Sequence, residues 1–594
     1  MSRIDPATNR VSYTVPAGRG PAGLTIADGG LWVADAGGAV LRLDPHTGGV
    51  ADRLRIGSSP VGLAAARGSV WVPAAPALAA HRGGTLRVGA MPLPLDPADA
   101  SFSPAQAVSE LAYDSLVAYR RAGGAAGARP VGELAAEVPK PTESGRRYVF
   151  RLRPGLRYSD GRRVKAGDFR ASLERTLVIS GDLTAPLFDA IGGVASCRTA
   201  PRRCDLSRSV AADERSGTIT IRLRRPDPDF LPKLKFIAVV PADTPRRLLE
   251  ARLPPGTGPY RIERLVPRRR ALLTRNPHFQ PRGPDGRPDG FADRVEVAMG
   301  PESAQVAAVE RGRLDLATVF ATATTQRLAA LRTRLGSRLR SAAAAFTEYA
   351  WLNVKAPPFD DPRVRRALNL AVDRRRVVDL TGGPDAASPT CQLLPPGLPG
   401  YRPICPFTVA PSSAGAWTAP DPAGATRLVA AAGARGTPVE VFTWRPRRSV
   451  ARHLAHVLRA LGFPSRVRVF GRDNIGPSLK AATDRRQRPQ IGLNGWLADS
   501  PEPGMFLRSL VSCGAEFNLS RFCDHKIDAA IDGAEDAGAS WQRIERRIAL
   551  QAPVVPLTTR RSIVVTSHRT GNVQFQSLTP SSGPGLLLDQ VWVR

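Results

Sequence analysis

Lysine is scarce in this chain of 594 residues: only seven of its 84 basic residues are lysine, and the other 77 are arginine. With 52 acidic residues, the formal net charge is +32 and the sequence pI is about 11.2. Phosphate-binding surfaces use both cations, in clusters with aromatic side chains between them. Here arginine is dispersed along the whole chain, so the charge predicts a solvated basic surface and no nucleic-acid partner.

Long hydrophobic runs are also missing. No stretch of about 18 uncharged apolar residues occurs, which excludes a transmembrane helix in the sequence given. The first residues, MSRIDP, form no apolar signal segment and include no lipoprotein cysteine. Hydrophobic residues still make up 42% of the chain, as in packed globular proteins. If the protein works outside the membrane, we expect its export signal and a membrane anchor to lie upstream of Met1.

Motifs that carry catalytic or metal chemistry are absent from the sequence. There is no Gly-x4-Gly-Lys-Ser/Thr loop for nucleotide phosphates, and no His-Glu-x-x-His, Gly-x-Ser-x-Gly or Cys-x-x-Cys pattern. The sequence therefore predicts no catalytic residues, no metal site and no cofactor. We expect a binding protein and not an enzyme.

Six cysteines occur as three local pairs, and each pair closes a short loop. The favoured pairing is Cys197 with Cys204, Cys391 with Cys405, and Cys513 with Cys523, although six cysteines allow 15 pairings. Three neighbouring pairs are typical of disulfides in an oxidising compartment. Unpaired buried thiols are the alternative, and the spacings are unlike those of a metal site.

A repeat with a period of 39 residues occupies the first 80 residues. Residues 3–8 (RIDPAT) recur as residues 42–47 (RLDPHT), and two further landmarks recur at the same spacing, GPAGL as SPVGL and LWV as VWV. A period near 40 with about four short strands is typical of a propeller blade. The segments resemble blades of YVTN/NHL-like and virginiamycin-lyase-like propellers.

The resemblance implies a partial, all-β propeller of about two blades at residues 1–73. A small independent β domain of two units is the alternative. Residues 74–81, rich in alanine and proline, are predicted to be a linker. From residue 83 onwards strands and helices alternate, which predicts a mixed α/β domain. Within it we expect a strand at residues 84–89 and a helix at residues 105–119.

A longer signature begins at Phe150. Residues 150–161 read FRLRPGLRYSDG and residues 164–169 read VKAGDF. An alternating strand ends at the Pro-Gly pair, a turn follows, and Asp168 lies at the start of a helix. Six further segments follow in order: PGTGPYRI (255–262), RNPHF (275–279), VERGRLD (309–315), PFDDPRVRRAL (358–368), LVAAAG (428–433) and GWLADSPEP (495–503).

These ordered segments resemble family 5 extracellular solute-binding proteins, the oligopeptide-, dipeptide- and nickel-binding subunits of ABC importers. The resemblance covers residues 82–594 and implies a two-lobed, type II periplasmic-binding-protein fold that closes on its ligand. We expect lobe I to contain residues 82–262 and 496–594, with a subdomain near 125–215. Lobe II is expected at residues 265–495.

The resemblance also indicates where a ligand binds. In peptide binders of this family, the aspartate of the GWLADSPEP segment pairs with the ligand's α-ammonium group, and Asp499 has that position. Trp496 and Trp444 are candidates for apolar cleft walls, and Asn494 and Tyr349 are positional candidates. Each has a plain structural alternative: Asp499 as a turn cap, and the aromatic residues as core. Ser500 and Glu502 depart from the family pattern.

The leading hypothesis is an extracytoplasmic solute-binding component of an ABC importer, with a peptide or related small solute as ligand. Permease subunits and a separate ATPase would be its partners. The alternative is the ligand-sensing region of a larger, membrane-anchored signalling protein, which the N-terminal repeat favours.

Overall fold

The computed structural model divides the chain into two compact units. One consists of Met1–Gly84 with Trp592–Arg594, and the other consists of Thr85–Val591. The structure describes residues 1–15, 17, 20–35, 39–55, 59–60, 62–66, 68–75, 81–122, with the exception of 101–104, and 127–282, 286–319, 325–471, 476–487, 489–534, 538–576 and 585–594. In the described ranges, no helix has the length and apolarity needed to cross a membrane.

The N-terminal unit is built from short strands in small antiparallel sheets. Four strands, β3 to β6, form the largest of these sheets, and its buried face centres on Val33, Leu41 and Leu43. The prediction that the N-terminal region is built from β-strands is therefore confirmed. The strands are β1 Ser2–Asp5, β2 Arg10–Thr14, β3 Pro21–Ala27, β4 Gly30–Asp35, β5 Ala39–Leu43, β6 Val50–Arg55, β7 Ser59–Pro60, β8 Ala64–Ala66, β9 Ser69–Trp71 and β10 Ala74–Ala75.

The larger unit alternates strands and helices, as expected from residue 83 onwards. Its strands are β11 Thr85–Ala90, β12 Val117–Tyr119, β13 Pro130–Gly132, β14 Arg147–Arg151, β15 Val210–Asp213, β16 Thr218–Arg222, β17 Tyr260–Val266, β18 Arg270–Arg275, β19 Arg294–Met299, β20 Leu316–Val319, β21 Leu339–Leu352, β22 Ala387–Pro389, β23 Val439–Thr443, β24 Ser465–Val469, β25 Ile491–Leu497, β26 Val554–Thr566 and β27 Thr570–Gly571; a last strand, β28 Trp592–Val593, belongs to the N-terminal unit.

The helices of the larger unit are mostly short. They are α1 Pro97–Ala100, α2 Gln106–Ser109, α3 Ala166–Ile179, α4 Gly181–Thr184, α5 Val194–Thr199, α6 Phe230–Lys233, α7 Glu302–Glu310, α8 Thr325–Leu335, α9 Pro362–Ala371, α10 Arg374–Leu380, α11 Pro422–Ala432, α12 Arg448–Ala460, α13 Gly476–Thr483, α14 Pro503–Val511, α15 His525–Asp532 and α16 Gly538–Gln551.

One large mixed sheet runs through this unit in the order β17-β18-β19-β11-β20-β26-β21-β25-β23-β24, with β22 paired to β26. The long strands β21 and β26 pair over most of their length and join its two halves. Strands β18 and β19 extend the half that contains β11. Strand partners, and not sequence order, therefore place β17 to β19 in this half of the sheet.

A separate three-stranded sheet, β14-β16-β15, packs against α3 around a core of its own, and we call residues 114–240 the β14 subdomain. The signature from Phe150 to Phe169 supplies its β14 and α3. Asp168 accepts hydrogen bonds from the Lys165 backbone N–H (2.8 Å) and the Tyr158 hydroxyl (2.9 Å), so the first turn of α3 is capped as expected. The signature is therefore structural here.

The predicted helix over residues 105–119 is wrong beyond its first turn. Helix α2 ends at Ser109, and β12 begins at Val117. Between them, the backbone carbonyls of Leu111 and Ala112 accept hydrogen bonds from Tyr260 (3.0 Å) and Gly258 (2.9 Å). These carbonyls therefore bind residues 258–260 instead of closing a helical turn. The apolar spacing of residues 105–119 reflects their burial in the fold and not a helix.

All six cysteines form the three predicted disulfides, with Cα–Cα distances of 4.2 Å, 4.9 Å and 4.5 Å in chain order. The pairing of Cys197 with Cys204 lies in the β14 subdomain core, and that of Cys391 with Cys405 is also buried. The prediction of local pairing is confirmed.

Removing the Cys391–Cys405 disulfide by a double substitution to alanine is expected to lower the free energy of unfolding by about 3 kcal/mol, because a cross-link over a loop of this length restricts the unfolded chain. Urea unfolding of the oxidised variant, with the other two disulfides intact, would measure it. An unchanged unfolding midpoint would contradict the expectation.

Candidate functional site

The GWLADSPEP segment begins on β25 and ends at α14. Trp496 lies near the end of β25, Asp499 follows the strand, and Glu502 directly precedes Pro503, the first residue of α14. A proline at the first helical position needs no hydrogen bond to its nitrogen, which favours a sharp start to the helix here. The segment therefore carries two carboxylates, three positions apart in the sequence, out of the sheet.

Side chains in and beside the β14 subdomain contact this segment and helix α14. The hydroxyl of Tyr119, on β12, donates to the Glu502 carboxylate, at 2.9 Å from both oxygens. The Arg508 guanidinium, on α14, pairs with the Asp229 carboxylate. Tyr119 and Asp229 lie beside the β14 subdomain core, whereas α14 packs into a different core with Trp351 and Trp541. These contacts therefore join two separately packed parts of the unit.

Lys235 brings an ammonium group to the same place. Its Nζ lies 5.5 Å from the centre of the Tyr119 ring and 5.7 Å from that of Phe236. Burial lowers the pKa of Lys235 to about 8, although the carboxylates of Glu110, Glu502 and Asp499 oppose this shift. Among the described residues, the ammonium donates no hydrogen bond and has no carboxylate oxygen within 4.0 Å.

The Asp499 carboxyl group is partly buried. Burial raises its pKa to about 7, and the nearby Lys235 ammonium and the Trp496 side chain partly offset that rise. Within the described ranges, Asp499 forms no ion pair at 4.0 Å or less. No cation is therefore paired with this carboxylate at close range, and a cation bound beside it would lower its pKa from about 7.

A cavity of about 50 Å³ lies beside Lys235. A volume of this size holds a few water molecules. Its walls are mostly polar and come from α2, β12 and the segments around Glu133 and Lys235: Gln106, Ser109, Glu110, Tyr113, Asp114, Ser115, Ala118, Tyr119, Arg121, Glu133, Lys235, Ala238, Arg287 and Gln576. A wider groove of about 1050 Å³ lies between the β14 subdomain and α14–α15, and Arg508 and Asp229 line it.

Buried ion pairs stabilise the side of the small cavity that Asp114, Glu133 and Arg287 line. The Asp114 carboxylate accepts from Arg282 (2.5 Å), Arg287 (2.6 Å) and the hydroxyl of Thr257 (2.8 Å). Burial alone would raise the pKa of Asp114, but the two guanidinium groups outweigh it and lower the pKa to about 2. Glu133 lies beside this cluster, and burial together with the Asp114 charge raises its pKa to about 7.

The PGTGPY segment is fixed against the same wall. A Cβ added to Gly256 would lie 2.0 Å from the Ala112 carbonyl oxygen, and one added to Gly258 would lie 2.6 Å from that of Leu111. Glycine at both positions therefore allows the close backbone approach that places Thr257 on Asp114.

The five residues singled out in the sequence occupy different surroundings. The Asn494 side-chain amide donates to the Tyr349 hydroxyl at 3.1 Å across the β21–β25 pair, and both side chains are buried. The Trp496 ring packs on Phe517 with a centroid distance of 4.5 Å. Trp444 packs instead at the edge of the core around α9, α11 and α12. The structure thus brings Trp496 and Asp499 together on one segment and places Trp444 against another core.

Lys235, Tyr119 and Glu110 were missed as site residues, and Glu502 was noted only as a departure from the family pattern. Lysine scarcity was the available signal for Lys235. A lysine ammonium is a compact point charge, unlike the planar guanidinium that this chain uses at most basic positions. No spacing in the sequence connects it with Asp499, because the two lie far apart along the chain.

The described residues contain one group of three metal-ligand side chains within 4.8 Å of one another: Cys513, Cys523 and His525. The two cysteines are joined as a disulfide, so their sulfurs are not thiolates that could bind a metal.

Comparison with known proteins shows the family to which this chain belongs. The family model described as bacterial extracellular solute-binding proteins, family 5 (middle), matches residues 129–518. The chain belongs to this family. It is accordingly a solute-binding protein with the two-lobed, type II fold, and the ordered segments from Phe150 onwards predicted this correctly.

Known relatives of this solute-binding protein cover most of its larger unit. Di/tripeptide-binding protein 2 of Pseudomonas aeruginosa is 26% identical over 478 residues, which is 75% of this chain and 83% of the relative. Heme-binding protein A of Haemophilus influenzae is 24% identical, over 76% and 82% respectively. The solved structure of clavulanic acid biosynthesis oligopeptide binding protein 2 has a TM-score of 0.72 and 26% identity, over 86% of this chain and 96% of that one.

Proposed function

We propose that this solute-binding protein binds short peptides with a free amino terminus and delivers them to an ABC importer. The observation that carries the proposal is Asp499, a partly buried carboxylate without a close ion pair, on the segment that faces the β14 subdomain. A carboxylate in such surroundings binds a ligand ammonium through a charge-assisted hydrogen bond, which is stronger than a neutral one.

The names of the relatives support a peptide without deciding it. One relative is named for di- and tripeptides and another for heme, so this fold accepts chemically different ligands. The partners of the carboxylates favour the peptide: Glu110 pairs with Arg121, and Glu502 accepts from the Tyr119 hydroxyl. Asp499 has no ion pair within 4.0 Å among the described residues, so it favours a ligand that brings a cation.

The contacts of Tyr119 with Glu502 and of Arg508 with Asp229 suit a protein that closes over its ligand. A permease that recognises the closed form, together with a separate ATPase, would complete transport. The three disulfides support an extracytoplasmic location, where thiols are oxidised. The role is one of binding and not of catalysis.

Isothermal titration of the purified chain with a di-, tri- and tetrapeptide series tests the proposal. We expect at least one free peptide to bind, and its N-acetylated form to bind at least tenfold more weakly, because acetylation removes the ammonium group. Heme and nickel chelates provide the comparison. Binding of these alone, with no peptide binding, would refute the proposal.

We also infer that residues 1–73 form about two propeller blades. Of the predicted linker at residues 74–81, Ala74–Ala75 forms strand β10, which pairs with β7, and residues 76–80 lie outside the described residues. The two copies of the repeat meet at equivalent glycines: a Cβ built on Gly23 would lie 2.9 Å from the Gly62 Cα. Neighbouring blades related by a rotation bring equivalent positions together in this way. The four-stranded antiparallel sheet β3–β6 has the strand number of one blade.

A further inference from the structure

The described part of residues 1–75 contains one whole four-stranded sheet, β3 to β6, and two half-sheets that flank it in the sequence. Strands β1 and β2 precede the whole sheet, and β7 to β10 follow it. The 39-residue repeat makes β1 and β2 the counterparts of β5 and β6, and β7 to β10 the counterparts of β3 and β4. Each half-sheet therefore lacks the strands that the other half-sheet contains.

The strand registers support this equivalence. In the whole sheet, the pairing of β5 with β6 shifts its register between Arg42 and Leu43. At the same point of the preceding copy, the pairing of β1 with β2 shifts between Arg3 and Ile4. The pairing of β9 with β8 likewise repeats that of β4 with β3, position for position. Both half-sheets are therefore folded as parts of the same four-stranded unit.

Positions that are covered in the whole sheet are exposed in the half-sheets. Leu43 is 0% exposed, whereas its counterpart Ile4 is 57% exposed. The Trp32 ring is partly buried, with the Arg42 guanidinium 5.7 Å from its centre, whereas its counterpart Trp71 is 65% exposed. In the described ranges, β1 pairs only with β2 and β9 only with β8, so each has one free edge. A free edge that carries exposed apolar side chains is a template for a strand from another chain.

We propose that the two half-sheets complete one blade between copies of this chain, with β9 of one copy paired antiparallel to β1 of the next. This inference rests on the blade architecture inferred above for residues 1–73. In the register that joins β4 to β5, Trp71 of one copy lies opposite Arg3 of the next. Their contact is then a cation–π pair, like that of their counterparts in the whole sheet. Val70 lies opposite Ile4 in the same register, which covers both apolar side chains.

A second copy fits the free edges better than closure within one chain. Joining β9 to β1 of the same chain would close a ring of only two blades, whereas propellers have 4–8. A contact between two different edges is heterologous, and it generates a ring when the rotation between copies closes. Because each copy brings one whole blade and two halves, about two to four copies would close a propeller.

Cysteine cross-linking tests the pairing in the full chain, whose own six cysteines all form disulfides. The variants Arg3→Cys and Trp71→Cys are purified separately and mixed under mild oxidation. We expect a band of twice the chain's mass on a non-reducing gel, because neighbouring strands lie about 5 Å apart, within the reach of a disulfide. Formation of no such band would refute the pairing.

Exposed Val11, on β2, provides the matched control. In the proposed blade it lies one strand further from Trp71, at about 10 Å, which is beyond the reach of a disulfide. We therefore expect Val11→Cys and Trp71→Cys to give little of the band. Equal yields from Val11→Cys and Arg3→Cys would mean random collision and would overturn the proposed register.

The equivalent positions of the whole sheet distinguish failure of this inference from failure of the blade architecture. Trp32→Cys and Arg42→Cys, placed in one chain, should form an internal disulfide, because these residues lie opposite each other on β4 and β5. If this bond forms while Arg3→Cys and Trp71→Cys do not link, the blade stands and pairing between copies is refuted. If neither bond forms, the blade architecture fails and the pairing between copies fails with it.

Light scattering after size-exclusion chromatography gives the number of copies without any cross-link. We expect the unsubstituted chain to have two to four times the mass of one chain, and Ile4→Asp to reduce it to that of one chain. Val409, which is exposed in the larger unit, provides the control, because Val409→Asp makes the same change away from β1. A single-chain mass for the unsubstituted protein, or equal dissociation by both variants, would overturn the proposal.

Discussion

Asp114→Asn is expected to lower the free energy of unfolding by about 3–5 kcal/mol, because it removes the nearest counter-charge of two buried guanidinium groups and leaves them only Glu133 and Asp589, at 3.5–4.0 Å. Asp114, Arg282 and Arg287 are 2%, 8% and 4% exposed, so water cannot replace the lost partner. The amide keeps the size of the carboxyl group and can still accept from Thr257. The lower free energy of unfolding would therefore come from the missing negative charge and not from an empty space in the core.

Urea unfolding of Asp114→Asn beside Asp189→Asn measures this effect against a matched control. The Asp189 carboxylate pairs with Arg225 at 2.6 Å, but both side chains are more than half exposed. A surface pair of this kind contributes at most about 1 kcal/mol. Equal losses in the two variants would contradict the claim that burial makes the Asp114 cluster decisive.

The same cluster has a defined pH dependence. The pKa of Asp114 is lower in the folded protein, at about 2, than its ordinary value of 3.8. Its stabilisation is therefore fully present above about pH 4 and is lost as the pH falls towards 2. Asp114→Asn should remove this part of the acid sensitivity and leave that of the other carboxylates in place.

Local chemistry explains what the sequence could predict. The cysteine pairs lie close along the chain, and the residues that cap α3 or begin α14 act on their own turns. The strand and helix around Phe150 and Asp168 follow from alternation, a Pro-Gly pair and a cap within 20 residues. Such features can be read from a sequence, because their partners lie within the same short segment.

The rest depends on contacts between distant segments. Tyr119 and Glu502 are 383 positions apart, and Asp114 meets its arginines across 168 and 173 positions. The apolar spacing after Ala105 suggested a helix, but the carbonyls of Leu111 and Ala112 bind the segment at Gly258–Tyr260 instead. Tertiary hydrogen bonding therefore overrode local propensity there, as it often does in short segments. Lys235 became a site residue only when folding placed it beside Tyr119.

The pH dependence of peptide binding should be the largest functional effect. Since burial raises the pKa of Asp499 to about 7, the carboxyl group of the empty site is mostly protonated at pH 5.5. A peptide α-amino group, with a pKa near 7.7–8.0, remains an ammonium throughout the acidic range. Affinity should therefore fall as the pH falls, by roughly 15- to 20-fold between pH 7.5 and 5.5, because the ionised fraction of Asp499 falls about 25-fold while the ammonium fraction of the peptide rises from about two-thirds to nearly one.

The Asp499→Asn variant tests whether ionisation of Asp499, and not of another group, causes the pH dependence of binding. The variant should bind the free peptide weakly at every pH, with a flat profile between pH 5.5 and 7.5, and the N-acetylated peptide should give a flat profile with the unsubstituted protein. Titration calorimetry at five pH values would measure all three. Glu133, whose pKa is also raised to about 7, lines the nearby cavity, so a slope that persists in Asp499→Asn would assign the titrating group to Glu133. A flat profile in the unsubstituted protein would instead mean that the ligand's amine does not depend on an ionised Asp499, and the anchor would have to be sought elsewhere in the cleft.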